Sequence, residues 1–285
     1  MVYTKNLVAV CAGRDAVRAA AQGMQVLHLC LGLSENGALE RRQLPAMQRG
    51  CFLGLCDPPR GLRLCNPERL ALDLAFEAKR VNAPGVFADF ERETAQTLAL
   101  LRAFDEALAE DGIPLYVPVN IGRDLEHAVL TVSTALSGGS LTAYFSSLQG
   151  IYGAHRVAAF LQPVSQDFTL PSASPDGKPL SAAARAALLA ETGAQVFFSH
   201  ELCARYFTYT DREGAAHFVL FDDADTLAAK LAQLTGCGVQ TVFDESVLNV
   251  PTVMVSAGKI GYQVECAPAD LIGLVRAQTA AITTE

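Results

Sequence analysis

Gly85-Val86-Phe87-Ala88-Asp89-Phe90-Glu91 is an apolar run that ends in two carboxylates spaced two residues apart. In an extended strand successive side chains alternate between faces, so Phe87, Asp89 and Glu91 share one side and Val86, Ala88 and Phe90 the other. If the strand lies in a parallel sheet covered by helices, the second set buries against them and both acids face away at the carboxyl end. Barrel enzymes carry their chemistry there. The functionless alternative is a strand running out into solvent, its acids pairing with Arg92 or with nothing.

Working outward, short apolar runs alternate with amphipathic ones. Leu7 to Cys11, Gln25 to Leu31 and Cys51 to Cys56 read as the first three strands, the third stopped by Asp57-Pro58-Pro59, where backbone donors vanish. Helices are expected over Arg14 to Gln22, Leu39 to Arg49 and Pro67 to Val81, the last capped by Asn66, with Leu70, Leu72, Leu74 and Ala75 on its buried side. After the focal strand come a helix from Thr94 to Ala109 and a fifth strand, Ile113 to Val119, weakened by two prolines. Leu125 to Leu136 and Leu141 to Gln149 read as helical, and Val157 to Leu161 as strand six. A helix over Ser181 to Thr192 precedes strand seven, Ala194 to Phe198. Arg205 to Thr210, the turn Asp211 to Gly214 and His217 to Phe221 then have the alternation of a β-hairpin. A helix over Asp225 to Thr235 and an eighth strand, Gly238 to Phe243, complete the series.

Eight strands separated by helices predict an α/β fold, a (β/α)8 TIM barrel with a small β-hairpin insertion after strand seven. Residues 1–285 are expected to form a single domain with a C-terminal extension from about Val250, in which Ala269 to Thr279 reads as a helix.

Hydrophobic residues make up 51% of the chain and charged ones 18%, which fits a well-buried core rather than extended disorder. A net charge of −8 offers no basic footprint for nucleic acid or anionic lipid. No run is long enough to cross a bilayer. The eight cysteines lack a Cys-x-x-Cys pair and several sit in apolar runs, so they read as buried thiols in a reducing compartment, with the cytoplasm expected. The apolar stretch near the start, Leu7 to Ala12, is short for a signal-peptide core.

Polar residues expected at the carboxyl ends of strands are Glu35, Asn36, Asp57, Asn120, Gln162, His200, Asp244 and Glu245, with Tyr116 earlier in strand five. Each alone also fits a turn or capping role. Ser199 and His200 are sequence neighbours and point apart on a strand, against a nucleophile–base pair. The five histidines lack metal-ligand spacing, no phosphate-binding glycine loop follows a strand, and no cofactor or metal is expected. His28, in an apolar strand, reads as a satisfied core residue. Asp222-Asp223 reads as a helix start.

The focal stretch resembles the fourth strand of family 18 glycoside hydrolases, the chitinase-like barrels, whose Asp-x-x-Asp-x-Asp-x-Glu aligns with Pro84-Gly85-Val86-Phe87-Ala88-Asp89-Phe90-Glu91. The last two acids are kept and the first two are lost. Phe218 to Asp223, Thr226 to Lys230 and Gly236 to Phe243 are similar to the family's aspartate-rich strand, lysine-bearing helix and closing strand. Phe243 stands where the family usually has tryptophan. The strand-six Met-x-Tyr-Asp is matched only by Phe160-Leu161-Gln162-Pro163.

The resemblance implies retaining, substrate-assisted hydrolysis of a β-linked N-acetylglucosamine-containing glycan, an oligosaccharide or peptidoglycan-type partner. It makes Glu91 the general acid and Asp89 the residue that orients the acetamido group. Gln162 and Asp244 fall where the family holds sugar groups, Phe87 and Phe243 line the inward face, and Asn120, Tyr116 and His200 complete the candidates. The losses leave two alternatives: an eroded, lectin-like carbohydrate-binding barrel, and an intracellular scaffold in which both acids are structural.

Overall fold

The structure, a computed structural model, describes residues 6–11, 13–41, 49–63, 66–172, 174 and 176–245. The extension expected from about residue 250 lies outside the described residues. So do residues 42–48 of the expected helix from Leu39 to Arg49.

The first half of the chain runs β1 (Asn6–Cys11), α1 (Gly13–Ala21), β2 (Gln25–Leu33), β3 (Leu39–Arg41), β4 (Phe52–Cys56), α2 (Pro67–Val81), β5 (Val86–Asp89) and α3 (Ala95–Glu110). It continues with β6 (Leu115–Pro118), α4 (Val119–Gly122), β7 (Val129–Ser133), α5 (Leu141–Tyr152) and β8 (Val157–Leu161). Strands β9 (Ser165–Leu170) and β10 (Lys178–Pro179), helix α6 (Ala182–Thr192) and strands β11 (Phe197–Ser199), β12 (Ala204–Thr210) and β13 (Ala216–Phe221) follow. The described chain ends with α7 (Ala224–Gly236) and β14 (Thr241–Asp244). Strands β1, β2, β4, β5, β6, β7, β8 and β14 pair in parallel, and the β14–β1 and β1–β2 ladders close them into an eight-stranded barrel. Among the described residues no helix is long and apolar enough to cross a membrane.

The barrel is counted differently from the expectation. Its sixth strand is Val129–Ser133, inside the segment expected to be helical. Leu125, Val129, Val132 and Leu136 recur at helical spacing, but Val129, Thr131 and Val132 are β-branched and favour the pleated surface. Val157–Leu161 is consequently the seventh strand. Phe197 and Phe198, the end of the expected strand seven, instead belong to β11, which pairs antiparallel with β12 outside the barrel. Residues 39–41, expected to begin a helix, form β3 against β2.

The segment between the seventh and eighth strands is larger than a small hairpin. Strands β12 and β13 pair from Arg205↔Phe221 to Thr210↔Ala216, and they are the middle of a five-stranded antiparallel sheet ordered β10-β9-β13-β12-β11. On one face Phe207, Val219 and Phe221 pack against Leu188 and Leu189 of α6. The same face carries His217, whose Nδ1 lies 2.9 Å from Asp167 Oδ1 and whose Nε2 lies 3.3 Å from Asp211 Oδ2. Tyr209 stacks on the ring and donates to Asp167 Oδ2 at 2.7 Å. Burial disfavours the imidazolium, but the hydrogen bonds and charges of Asp167 and Asp211 prevail and raise the His217 pKa above its ordinary value. A raised folded pKa contributes stability fully below the unfolded value of about 6.5 and loses it as pH rises through the folded value. His217→Gln is therefore expected to lower the urea midpoint more at pH 6 than at pH 9. An equal loss at both pH values would count against the imidazolium.

Helix α2 follows its sequence signals: the Asn66 side chain accepts from Arg69 N at 2.7 Å, Pro67 opens the first turn, and Asn82 in the left-handed region ends it. Leu70, Leu74, Ala75 and Ala78 form the buried face, whereas Leu72, two residues round the helix from Leu70, is 58% exposed. In α3 the Thr94 cap and Thr97 close a capping box, and Leu100, Leu101, Phe104 and Leu108 face the barrel. Helix α7 starts at Asp223 with its own box to Thr226. About two turns in, Lys230 Nζ donates to Asp222 Oδ2 at 2.6 Å, with both side chains sealed from solvent. Asp222 also accepts from Val164 N at 2.8 Å and from Thr226 Oγ1 at 2.9 Å, tying the exit of the seventh strand to the insert and to α7.

Candidate active site at the barrel mouth

Strand β5 is the fourth strand of the barrel, and its side chains divide as alternation requires. Val86, Ala88 and Phe90 lie in the outer cluster with α2 and α3, while Phe87 lies in the cluster inside the barrel. Asp89 follows on the Phe87 side, half-buried at the last ladder position opposite Cys56. Glu91 stands two residues further out, exposed, after the outward-packed Phe90. Asp89 thus rises from the inward face at the carboxyl end of the strand, and Glu91 follows in the chain just beyond it.

The chain beyond the strand is tethered. Glu91 N donates to Asp57 Oδ1 at 3.1 Å. Arg92 donates to Asp57 Oδ2 from Nε at 3.0 Å and from Nη2 at 2.8 Å, and also to the Pro58 carbonyl. On the other side Thr97 Oγ1 donates to the Arg92 carbonyl at 2.9 Å. The charge-assisted fork between Arg92 and Asp57 joins the ends of the third and fourth strands.

Beneath the acids the barrel is filled with aromatic rings. Phe243 lies 5.0 Å from Phe87, 4.9 Å from Tyr116 and 5.6 Å from Phe52, all edge-to-face, and Phe87 lies 5.8 Å from Phe160. Phe87 therefore packs as a core ring where the family pattern has an aspartate, and Phe243, fully buried, lies in the same packed layer. Burial pushes the Tyr116 hydroxyl pKa up, and a hydrogen bond with Thr241 opposes it. Gly85 makes room for this layer. A Cβ there would lie 2.8 Å from the Tyr116 ring and 3.2 Å from Phe52. Gly85→Ala is expected to cost about 1–3 kcal/mol through overpacking, read as a lowered midpoint in denaturant. An unchanged midpoint would show that the rings relax freely.

Gln162 leaves the seventh strand, not the sixth, and accepts from Ser133 Oγ at 3.0 Å, while its backbone N donates to Thr134 Oγ1 at 3.2 Å. The sixth barrel strand is Val129–Ser133, and Thr131, Ser133 and then Thr134 are the hydroxyl residues at its carboxyl end. The helical spacing of Leu125 to Leu136 hides Ser133 and Thr134 as strand-end residues, and the run of β-branched residues is the signal that reveals them. Asn120 is exposed in α4 just after the fifth strand. Glu35 and Asn36 are exposed in the turn between β2 and β3, and Glu245 is exposed after β14.

Asp244 and His200 are placed differently from the expectation. Asp244 is buried and follows Phe243 on the opposite side of β14, where with burial and Asp15 it contributes to pushing the Cys11 thiol up to about 12. Alternation turns it toward the helix layer and not toward Phe243. His200 lies in the turn between β11 and β12, with its ring edge-on to Phe198 at 4.9 Å, so it belongs to the insert and not to a barrel strand. His28 is buried, which lowers its pKa, and among the described residues its Nε2 has no hydrogen-bond partner, so it is less well satisfied than expected. The cysteines described are free thiols, with Cys11, Cys30, Cys51 and Cys203 buried. A cavity of about 390 Å³ lies between β3 and α2, lined by Leu39, Arg41, Phe76 and Glu77 among others.

No family model and no curated protein matches the sequence. Solved structures do match. The spore cortex-lytic enzyme SleL of Bacillus cereus superposes with a TM-score of 0.62 at 15% identity, covering 96% of this chain and 74% of that one. A chitinase of Chromobacterium violaceum gives 0.58 at 14%, covering 96% and 99%. A class V chitinase of Pseudomonas fluorescens gives 0.55 at 16%, covering 94% and 99%. An eight-stranded barrel with an antiparallel insert before its last strand, superposing on these proteins over nearly its whole length, makes the fold of this chain that of a divergent chitinase-like barrel.

Proposed function

We propose that this chain is a retaining glycoside hydrolase of the family 18 type, acting on a β-linked N-acetylglucosamine-containing glycan of the chitin or peptidoglycan kind. Glu91 donates a proton to the glycosidic oxygen as the bond to C1 breaks. The carbonyl oxygen of the substrate's own acetamido group attacks C1 from the opposite face and forms an oxazolinium, which Asp89 orients and stabilises. Glu91, now a carboxylate, takes a proton from the water that opens this intermediate and restores the configuration at C1. The Ser133–Gln162 pair and Asn120 border the same mouth and are assigned to the sugar hydroxyls. What supports this reading most is the parity of Asp89, which follows the inward Phe87 at the end of the fourth strand with Glu91 two residues beyond, in a fold shared with chitinases.

The aromatic floor favours a second reading. With Phe87 in place of an aspartate and Ser133-Thr134 ending the sixth strand, the same mouth suits a carbohydrate-binding barrel that hydrolyses nothing. Incubation with N-acetylglucosamine oligomers and peptidoglycan fragments, alongside calorimetric binding, separates the two. Turnover supports the hydrolase, binding without turnover supports the lectin-like protein, and neither overturns both.

A further inference from the structure

We propose that Asp57 is a positioning residue for Glu91: its carboxylate replaces the next backbone acceptor of the third strand and fixes the extended chain that holds Glu91 on the Asp89 side. The inference rests on the glycosidase reading for its consequence, and on geometry for its substance. The ladder between β4 and β5 ends at the Cys56–Asp89 register. Strand β4 itself ends at Cys56, and the two prolines that follow Asp57 supply no N–H to continue the ladder. The fourth strand must nonetheless run two residues further if Glu91 is to keep the parity of Asp89.

Asp57 bridges this gap. Oδ1 accepts from Glu91 N at 3.1 Å, while Oδ2 holds the guanidinium of the next residue, Arg92, at 2.8 Å. Arg92 is pinned a second time through its carbonyl by Thr97 Oγ1. Glu91 therefore sits between two fixed backbone points, one on each side, although its own side chain is exposed. A proton donor must stay within hydrogen-bond reach of the leaving oxygen, and small displacements of such a group cost turnover more than substrate affinity.

Two variants separate the two bonds. Asp57→Ala removes both, whereas Asp57→Asn keeps a neutral acceptor for Glu91 N and loses the charge on Arg92. On an N-acetylglucosamine oligomer, kcat is expected to fall at least about tenfold in Asp57→Ala with KM within about twofold, and to return to within about threefold of wild type in Asp57→Asn. Residue-resolved hydrogen exchange on the same proteins is expected to show lost protection at the Glu91 amide in Asp57→Ala only. If Glu91→Gln is inactive while Asp57→Ala keeps kcat within twofold, the inference is overturned and the glycosidase reading survives. If the wild type turns over no glycan, that reading falls and exchange alone decides: lost protection supports the tether, and equal protection in both variants overturns it.

Discussion

Glu91→Gln is expected to lower kcat/KM for N-acetylglucosamine oligomers by about 10²–10⁴, the range of a lost general acid. Glutamine keeps the shape and the polar contacts of the side chain but has no transferable proton. Glu91 is exposed beyond the end of β5 and its neighbours Phe90 and Phe87 carry the packing. The variant should therefore melt within a few degrees of wild type and bind sugar with similar affinity. A variant that retains activity within tenfold would remove Glu91 from the chemistry. Loss of activity accompanied by a large fall in melting temperature would point to a structural role instead.

The largest stability effect is expected where the insert joins α7, in Lys230→Met. The Lys230–Asp222 pair is sealed from solvent, and removing the ammonium leaves an uncompensated carboxylate in a low-dielectric site. Breaking such a pair costs about 3–5 kcal/mol. The remaining donors, Val164 N and Thr226 Oγ1, are neutral and offset only part of that. Lys230→Met/Asp222→Asn should recover a good share of the loss, because the second change removes the stranded charge while keeping an oxygen for Val164 N. A single variant within about 1 kcal/mol of wild type would mean that water or a rearranged chain reaches Asp222.

Much of the barrel was legible because local and tertiary signals agreed. Pro67 after Asn66, the Thr94 cap and the alternation of Val86 to Glu91 each act over a few residues, and packing against the outer helices rewards the same choices. The errors lie where one run satisfies two periods. Val129–Ser133 sits inside a helical spacing of apolar residues, and only its strand partners β6 and β8 decide the matter. The neighbouring count then slipped by one. The apolar run Ala194 to Phe198 fills the vacated count in sequence but belongs to the insert, and Gln162 ends the seventh strand rather than the sixth.

The inward parity of Asp89 was legible, since strand alternation alone sets it. The tether of Glu91 was not, because nothing local links Asp57 to a residue 34 positions away; it follows from the third and fourth strands being neighbours. Asp244 misled for the converse reason. Its place at the end of the eighth strand suggested the mouth, but it is one residue out of phase with Phe243, which fills the barrel.

The proton NMR spectrum of the wild-type protein acting on N-acetylglucosamine hexamer tests the central claim most directly. With substrate-assisted retention the β-anomer of the new reducing end appears first and only later equilibrates, and Glu91→Gln forms it about 10²–10⁴-fold more slowly. First appearance of the α-anomer, or no turnover of either the hexamer or peptidoglycan by the wild type, would contradict it.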